Sequence, residues 1–168
     1  FRSRTYVGDA QPDLTFGWQN NFTWKNWDFS FFFRGTIGNK VLNNPRAAYA
    51  NNTYLIGTNA LDDELTYTMK ESSRVCSYYL ENGSFIRLDN LALGYTFDTK
   101  KINWLDKARL YFAAQNLFVI TGYKGLDPEV ELFRGESSDT DAGLSPGIEP
   151  RQFFPKARTF TLGVNLTF

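Results

Sequence analysis

Apolar and polar side chains alternate along five stretches of this chain, and this period of two constrains the fold more than any other feature. In the first stretch four of the five even positions are aromatic and the odd positions are small or polar; the aromatic residues are Phe16, Trp18, Phe22 and Trp24. Successive side chains of a β-strand point to opposite faces, so the pattern predicts strands with one apolar and one polar face. We predict five strands, at about 15–24, 27–36, 85–97, 108–119 and 158–168.

The alternation has three local exceptions. Phe32 places a ring on the polar side of the second strand, and Asn116 interrupts the apolar side of the fourth. The parity of the apolar positions also changes between Leu88 and Asn90. One extra residue in a strand shifts parity in this way, so we predict a β-bulge there.

The connections between these strands are alternately short and long. Two are short, 25–26 and 98–107, and two are long, 37–84 and 120–157. Outer-membrane β-barrels have short periplasmic turns and long extracellular loops, and strands of about 10 residues suit a tilted crossing of the bilayer. The pattern therefore predicts an all-β transmembrane antiparallel barrel, with both long segments extracellular and the C-terminus periplasmic.

Five strands are too few to close such a barrel, which takes about eight. An open sheet in lipid also leaves backbone groups unpaired. Met69 is the only methionine, so we expect Phe1 not to be the translated start. We interpret residues 1–168 as the C-terminal segment of a larger barrel, with earlier strands upstream.

Composition excludes several other classes of protein. The 168 residues contain 17% aromatic residues, yet mean hydropathy is −0.38 and no run approaches the ~18 apolar residues of a transmembrane helix. The net charge of zero argues against nucleic-acid binding. The absence of His and the single Cys76 remove His-dependent catalysis and Cys-cluster metal sites. We predict no enzymatic activity, no cofactor and no metal site.

Several blocks resemble the late barrel of SusC/RagA-type TonB-dependent outer-membrane transporters. They occur in family order and are Gly8-Asp9-Ala10-Gln11-Pro12-Asp13, Phe32-Phe33-Arg34-Gly35, Ser84 to Tyr95, Gln115-Asn116-Leu117-Phe118 with Tyr123 to Glu129, and Phe154-Pro155 with Thr159 to Phe168. The resemblance implies the last five strands of a 22-stranded barrel whose N-terminal plug lies upstream. It also implies import of oligosaccharides or peptides across the outer membrane of Bacteroidota, with a SusD-like lid lipoprotein and the TonB–ExbB–ExbD complex as partners.

The last eight residues also resemble the signal that the barrel-assembly machinery recognises on a terminal strand. Its positions here are Thr161, Gly163, Leu166 and Phe168. An amphipathic edge strand offers unpaired backbone for templating, and an aromatic residue at its end suits the membrane interface. Ordinary strand alternation produces much of the same match, and this alternative stays open.

The remaining candidate residues lie in the long loops and on the polar strand faces. For contact with a ligand or the lid protein we single out loop tyrosines, because phenol groups stack on and hydrogen-bond to sugars and peptides. These are Tyr49, Tyr54, Tyr67, Tyr78 and Tyr79. For the lumen, in contact with the plug or with solute, we predict Asp28, Arg34, Arg109 and Gln115.

Two further interpretations apply to parts of this sequence. A soluble β-sandwich module that binds carbohydrate through its aromatic residues accounts for the same alternation. Acidic side chains in both long loops suggest calcium, but their spacing is not that of an EF-hand, and a solvated loop is favoured. The acidic residues concerned are Asp62, Asp63, Glu64, Asp127, Glu129, Glu131, Asp139 and Asp141.

Overall fold

The computed structural model describes residues 5–50, 57, 59, 61–63, 77–99, 104–130, 146–151 and 154–168. The strands in these ranges are β1 (Leu14–Trp24), β2 (Trp27–Ile37), β3 (Lys40–Leu42), β4 (Leu80–Asn82), β5 (Phe85–Phe97), β6 (Lys107–Thr121) and β7 (Thr159–Thr167). The same ranges contain one α-helix, α1 (Asn44–Tyr49), and one 3-10 turn, Ser77–Tyr79. Within the described residues, no helix has the length and hydropathy required to cross a bilayer.

The chain divides into two compact units. The first comprises 1–14, 36–85 and 121–155, and the second comprises 15–35, 86–120 and 156–168. The long strands form a five-stranded antiparallel sheet in the order β1-β2-β5-β6-β7. The five long strands lie at the predicted stretches, and their ends agree within two residues.

One face of the sheet is a continuous layer of aromatic rings. Trp18 meets Phe31 edge-on at a centroid distance of 5.2 Å and stacks with Phe33 at 6.1 Å. Phe33 in turn contacts Phe118 of β6 at 6.2 Å. Large apolar side chains of β1 and β7 are more than half exposed; they are Leu14, Trp18, Phe22, Trp24, Phe160, Leu162 and Val164. The apolar face is thus built by ring contacts between neighbouring strands and remains open to its surroundings.

The opposite, polar face accommodates two rings, each over a glycine. The ring of Phe32, the exception in β2, lies so close to Gly17 that a Cβ there would sit 3.2 Å from it. Tyr111 of β6 is paired in register with Gly163 of β7, and a Cβ on Gly163 would overlap its ring. Glycine therefore lets a large side chain lie close to the backbone of the neighbouring strand.

Side-chain contacts indicate that the parity of β5 changes between Asp89 and Gly94. Asp89 pairs with Arg34 of β2, while the Cβ direction of Gly94 points at Asp28, which shares parity with Arg34 on that strand. Residues 89 and 94 differ in parity, so a regular strand would put them on opposite faces. One extra residue between them, a bulge, accounts for both contacts.

The first unit has structure that the alternation did not indicate. The range 37–84, which we interpreted only as a loop, contains β3, α1 and β4, and β3 pairs with β4 in antiparallel register from Lys40↔Asn82 to Leu42↔Leu80. Ala47, Ala50 and Tyr79 form a small buried core. The helix begins after Asn43, whose side chain accepts a hydrogen bond from the Arg46 amide at 3.0 Å.

The C-terminal end of β7 is packed against the connection between β5 and β6. Trp104 stacks on Phe168 with a centroid distance of 5.8 Å and an interplanar angle of 12°. The Asp106 amide donates to the carbonyl of Thr167 at 2.8 Å. The last residue is therefore held by an aromatic contact as well as by the strand ladder.

We expect Gly163→Ala to lower the free energy of unfolding by about 1–3 kcal/mol, because the new methyl group must displace Tyr111. Equilibrium unfolding in urea measures the loss. Combining the change with Tyr111→Ala removes the clash, so the double variant should lose less than the sum of the single losses.

Gly122→Ala is the matched control, since a Cβ at Gly122 meets no atom within 4 Å. Equal losses at Gly163 and Gly122, or additive losses in the double variant, would contradict the packing of Tyr111 on Gly163.

Candidate functional site

The clearest polar contact in the second unit is an ion pair that crosses an intervening strand. Arg109 of β6 donates through Nε to Asp28 of β2 at 3.0 Å, and its Nη2 contacts the second carboxylate oxygen. The strand between them, β5, contributes Gly94 at this point, and any larger residue would fill the space that both side chains occupy. The guanidinium also lies 5.5 Å from the ring centre of Tyr111. Two predicted lumen residues are thus brought together.

The other two predicted lumen residues lie apart from this pair. Arg34 forms its own ion pair with Asp89, at 3.2 Å between Nε and Oδ2. Gln115 lines a cavity of about 270 Å³ together with Gln19, Ser30, Phe32 and Asn90, among others. The polar face therefore offers amide and hydroxyl groups beside two ion pairs. Such a surface suits hydrogen bonding to a polar partner.

The first unit contains a second polar cluster, centred on the nearly buried Arg46. Its guanidinium donates to Asp63 at 2.7 Å and to Glu81 at 3.2 Å. The hydrogen bond to Asp63, together with both negative charges, raises the pKa of Arg46 above its usual range. Glu81 also accepts from the Asn43 side chain and from the Lys124 amide, so one carboxylate joins three segments of the unit.

A buried tyrosine and a buried glutamate lie beside this cluster. The Tyr123 hydroxyl donates to Glu149 at 2.6 Å, and the Leu126 amide donates to the other carboxylate oxygen at 2.9 Å. Burial, followed by the hydrogen bond to Glu149, raises the pKa of Tyr123 well above its usual range. Glu149 is itself fixed because its amide donates to the carbonyl of Leu42 at 3.0 Å.

A cavity of about 190 Å³ lies between the two parts of this cluster. Its lining includes Arg46, Asp62, Asp63, Lys124 and Glu149, with Pro45, Leu61 and Leu126 as apolar members. Charges of both signs line it, and three of them belong to the hydrogen-bonded network described above. The cavity is therefore bordered by the hydrogen-bonded side chains of this cluster.

The loop tyrosines differ in their surroundings. Tyr78 is 55% exposed, and the Arg46 guanidinium lies 5.6 Å from the centre of its ring. Tyr49 ends α1 and is half-buried. Tyr79 is fully buried in the core with Ala47 and Ala50, so our prediction of ligand contact is corrected for this residue. Tyr54 and Tyr67 lie outside the described residues.

The residues of the proposed assembly signal lie on one edge of the sheet. Thr161, Gly163 and Leu166 of β7 pair with Ala113, Tyr111 and Ala108 of β6. In the strand order β7 is terminal, so within the described ranges its outer edge has no neighbouring strand. Phe168, 73% exposed, follows immediately.

The acidic residues considered for calcium do not converge where the structure describes them. Asp63 is paired with Arg46, and Asp127 is buried and caps the amide of Glu129 at 2.9 Å. Among the described residues no group of three acidic, His or Cys side chains has the geometry of a metal site. Glu64, Glu131, Asp139 and Asp141 lie outside those ranges.

Sequence reasoning missed the cluster around Arg46, Tyr123 and Glu149. These three residues come from distant parts of the chain, and no period or motif connects them. One local signal was available, because Asn43 followed by Asn44 and Pro45 is typical of a helix start. It indicates α1 but not the partners of Arg46.

Comparison with known proteins places the whole chain in one group, although no family model matches it. TonB-dependent receptor P3 of Formosa agariphila is 34% identical over 179 residues, an alignment that covers 98% of this chain and 17% of the relative. TonB-dependent receptor SusC of Bacteroides thetaiotaomicron is 31% identical over 170 residues, covering 93% of this chain and 15% of the relative. The chain thus spans about a sixth of the length of these relatives.

Solved structures show the same similarity. The RagAB peptide importer in its closed-closed state superposes with a TM-score of 0.70 at 26% identity, over 97% of this chain and 18% of the importer chain. Its open-open state gives a TM-score of 0.68 at 25% identity, over 96% and 18%. The strand order, the two-faced sheet and these similarities agree, and the chain belongs to the SusC/RagA family of TonB-dependent receptors.

Proposed function

We propose that this chain forms the C-terminal part of the barrel of a SusC-like TonB-dependent transporter, which imports oligosaccharides or peptides across the outer membrane. In this proposal the sheet supplies the last five of 22 strands, and the plug and earlier strands belong to the same protein. The observation that carries the proposal is the antiparallel sheet with one exposed apolar and one polar face, in a chain of this family.

The exposed apolar face supports a position against lipid. Contiguous apolar surface of this kind is costly in water, and barrel strands in a membrane present such a face outward. Trp24 and Trp27 flank the short turn at 25–26, where an interfacial aromatic belt is expected. A β-sandwich instead covers this face with a second sheet about 10 Å away. The exposure of Leu162 and Val164 therefore favours the barrel over our β-sandwich alternative.

The polar face then lines the lumen. On this face Asp28 is paired with Arg109 and Arg34 is paired with Asp89, so these four charges neutralise one another in pairs. The amides around Gln115 remain for hydrogen bonds to the plug or to solute. The proposed role is transport rather than catalysis.

The long segments 37–84 and 120–157 are extracellular in this proposal, and the C-terminus is periplasmic. A SusD-like surface lipoprotein is the proposed lid partner, and TonB–ExbB–ExbD supplies the energy. The barrel-assembly machinery, outer-membrane lipid and the remaining barrel and plug complete the set of partners. The RagAB structures are those of a peptide importer, which supports peptide as a substrate. Oligosaccharide is the other substrate class that the family resemblance implies.

We expect uptake by the full-length transporter to require the energised TonB complex. Cells expressing the transporter and the proposed SusD-like lipoprotein are supplied with labelled oligosaccharides or oligopeptides, with and without deletion of ExbB. Uptake of one substrate class that disappears on ExbB deletion supports the proposal. Uptake that persists at the same rate would identify a passive pore instead.

Adjacent residues of β7 should report opposite environments in the full-length protein. We expect a fluorophore on Val164→Cys to be quenched by nitroxide-labelled lipid, and one on Asn165→Cys to be insensitive, because successive strand residues face opposite sides. Lys25→Cys at the turn serves as an interfacial control. Equal quenching at 164 and 165 would be incompatible with a lipid-facing sheet.

Deletion of Phe168 should reduce the amount of folded transporter in the outer membrane. Phe168→Tyr keeps an aromatic residue at the interface and should assemble normally. Phe168 has two roles in this proposal, as part of the assembly signal and as the partner that Trp104 stacks on. Trp104→Ala separates them, because it removes the stacking contact but leaves the terminal residue in place. Normal assembly of the deletion variant, measured in membrane fractions, would refute the signal.

A further inference from the structure

Asn116 has a backbone conformation that is unusual within a strand. It lies in β6 with a φ of +53°, in the left-handed region. The structure describes only one other non-glycine residue with positive φ, Lys25, which lies in the tight turn between β1 and β2. Asn tolerates this conformation better than most residues, so its presence at 116 fits a specific requirement of the backbone.

Both ends of the Asn116 amide are engaged, on opposite sides of β6. Its Oδ1 accepts a hydrogen bond from the guanidinium of Arg87, a buried residue of β5. Its Nδ2 donates to the carbonyl of Lys156 at 2.5 Å and to that of Ala157 at 3.3 Å. One side chain therefore connects β5, β6 and the segment that leads into β7.

The contact lies where the ladder between β6 and β7 stops. The last pair in register is Gln115↔Thr159, and Asn116 is the next residue of β6. Carbonyls of successive residues point to opposite sides in an extended strand. A single Nδ2 that reaches both Lys156 and Ala157 therefore requires the chain to bend there, and Pro155 immediately upstream is compatible with a bend.

We propose that Asn116 is a positioning residue that fixes the point at which the last long connection joins the sheet. The side chain replaces the missing ladder bonds and holds residues 156 and 157 out of strand conformation. It thereby defines both the start of β7 and the base of the 120–157 segment. The proposed function places this segment outside the cell, where it contacts substrate or the lid protein, and this part of the inference rests on that proposal.

Trypsin supplies a direct test, because the held carbonyl belongs to the Lys156–Ala157 peptide bond that the protease cleaves. The assay uses intact cells with the full-length transporter and follows cleavage after Lys156. Arg151 is exposed and is not among the residues that the Asn116 side chain holds, so cleavage after Arg151 is the internal reference. When the segment around Lys156 opens and closes faster than trypsin cleaves it, the cleavage rate is proportional to the population of the open form. Each lost hydrogen bond should raise cleavage at Lys156 roughly fivefold relative to Arg151.

Three variants separate the side chain from the backbone. Asn116→Gly keeps left-handed freedom and removes the amide, so we expect faster cleavage at Lys156. Asn116→Asp keeps an acceptor for Arg87 but loses the donor to both carbonyls, so cleavage should rise similarly. Asn116→Ala removes the amide and also strains the backbone, because alanine disfavours positive φ. The matched control for Asn116→Gly is Asn21→Gly, which places a glycine in strand β1.

Amide hydrogen exchange on the purified transporter localises the effect. We expect faster exchange at 159–161 in Asn116→Gly and unchanged exchange at 163–167, where the ladder is intact. A wild-type cleavage ratio in Asn116→Gly would overturn the proposal, since backbone conformation alone would then suffice. Faster exchange along all of β7 would overturn it too, because Asn116 would then stabilise the whole seam.

The outcome also separates this inference from the proposed function. If trypsin reaches neither Arg151 nor Lys156 on intact cells but cleaves both in solubilised protein, the extracellular assignment fails. The ratio of the two cleavages in solubilised protein then still decides on Asn116.

Discussion

The backbone ladder between neighbouring strands is the interaction on which the rest of this structure depends. It fixes which side chains meet across the sheet, and its pleat sends successive residues to opposite faces. Asp28 reaches Arg109 because the strand between them presents only Gly94 at that position. The aromatic layer forms in the same way, from rings that are distant in sequence and adjacent in the sheet.

The two-faced sheet also explains how a chain with many aromatic residues has a negative mean hydropathy. Its rings concentrate on one face of five strands, while polar residues occupy the other face and the long connections. A soluble protein of this size would use the rings to fill a closed core. Here Leu162 and Val164 remain largely exposed. Such an exposed apolar face is what a strand of a membrane barrel presents to lipid, so the geometry of the sheet agrees with the family to which the chain belongs.

The sequence was sufficient to predict the five long strands, because alternation acts locally and each strand carries its own signal. Partners across the sheet were not predictable: nothing local to Arg34 indicates Asp89, because register depends on the whole set of strand pairs. The alternation of apolar and polar residues does not predict the contacts of the first unit. Arg46 and Glu149 are buried through contacts with residues far away in the chain, and only the helix start at Asn43 had a local signature.

The exceptions to the alternation carry more structural information than the regular positions do. Phe32 is on the polar side because Gly17 leaves room for its ring, and the parity change in β5 lets Asp89 and Gly94 both face the polar side. Asn116 interrupts the apolar side because its amide binds across the end of the ladder. A regular strand position needs only the correct polarity, so many residues serve there. At an exception the residue must meet one particular neighbour, and that requirement explains why the pattern is broken at these positions.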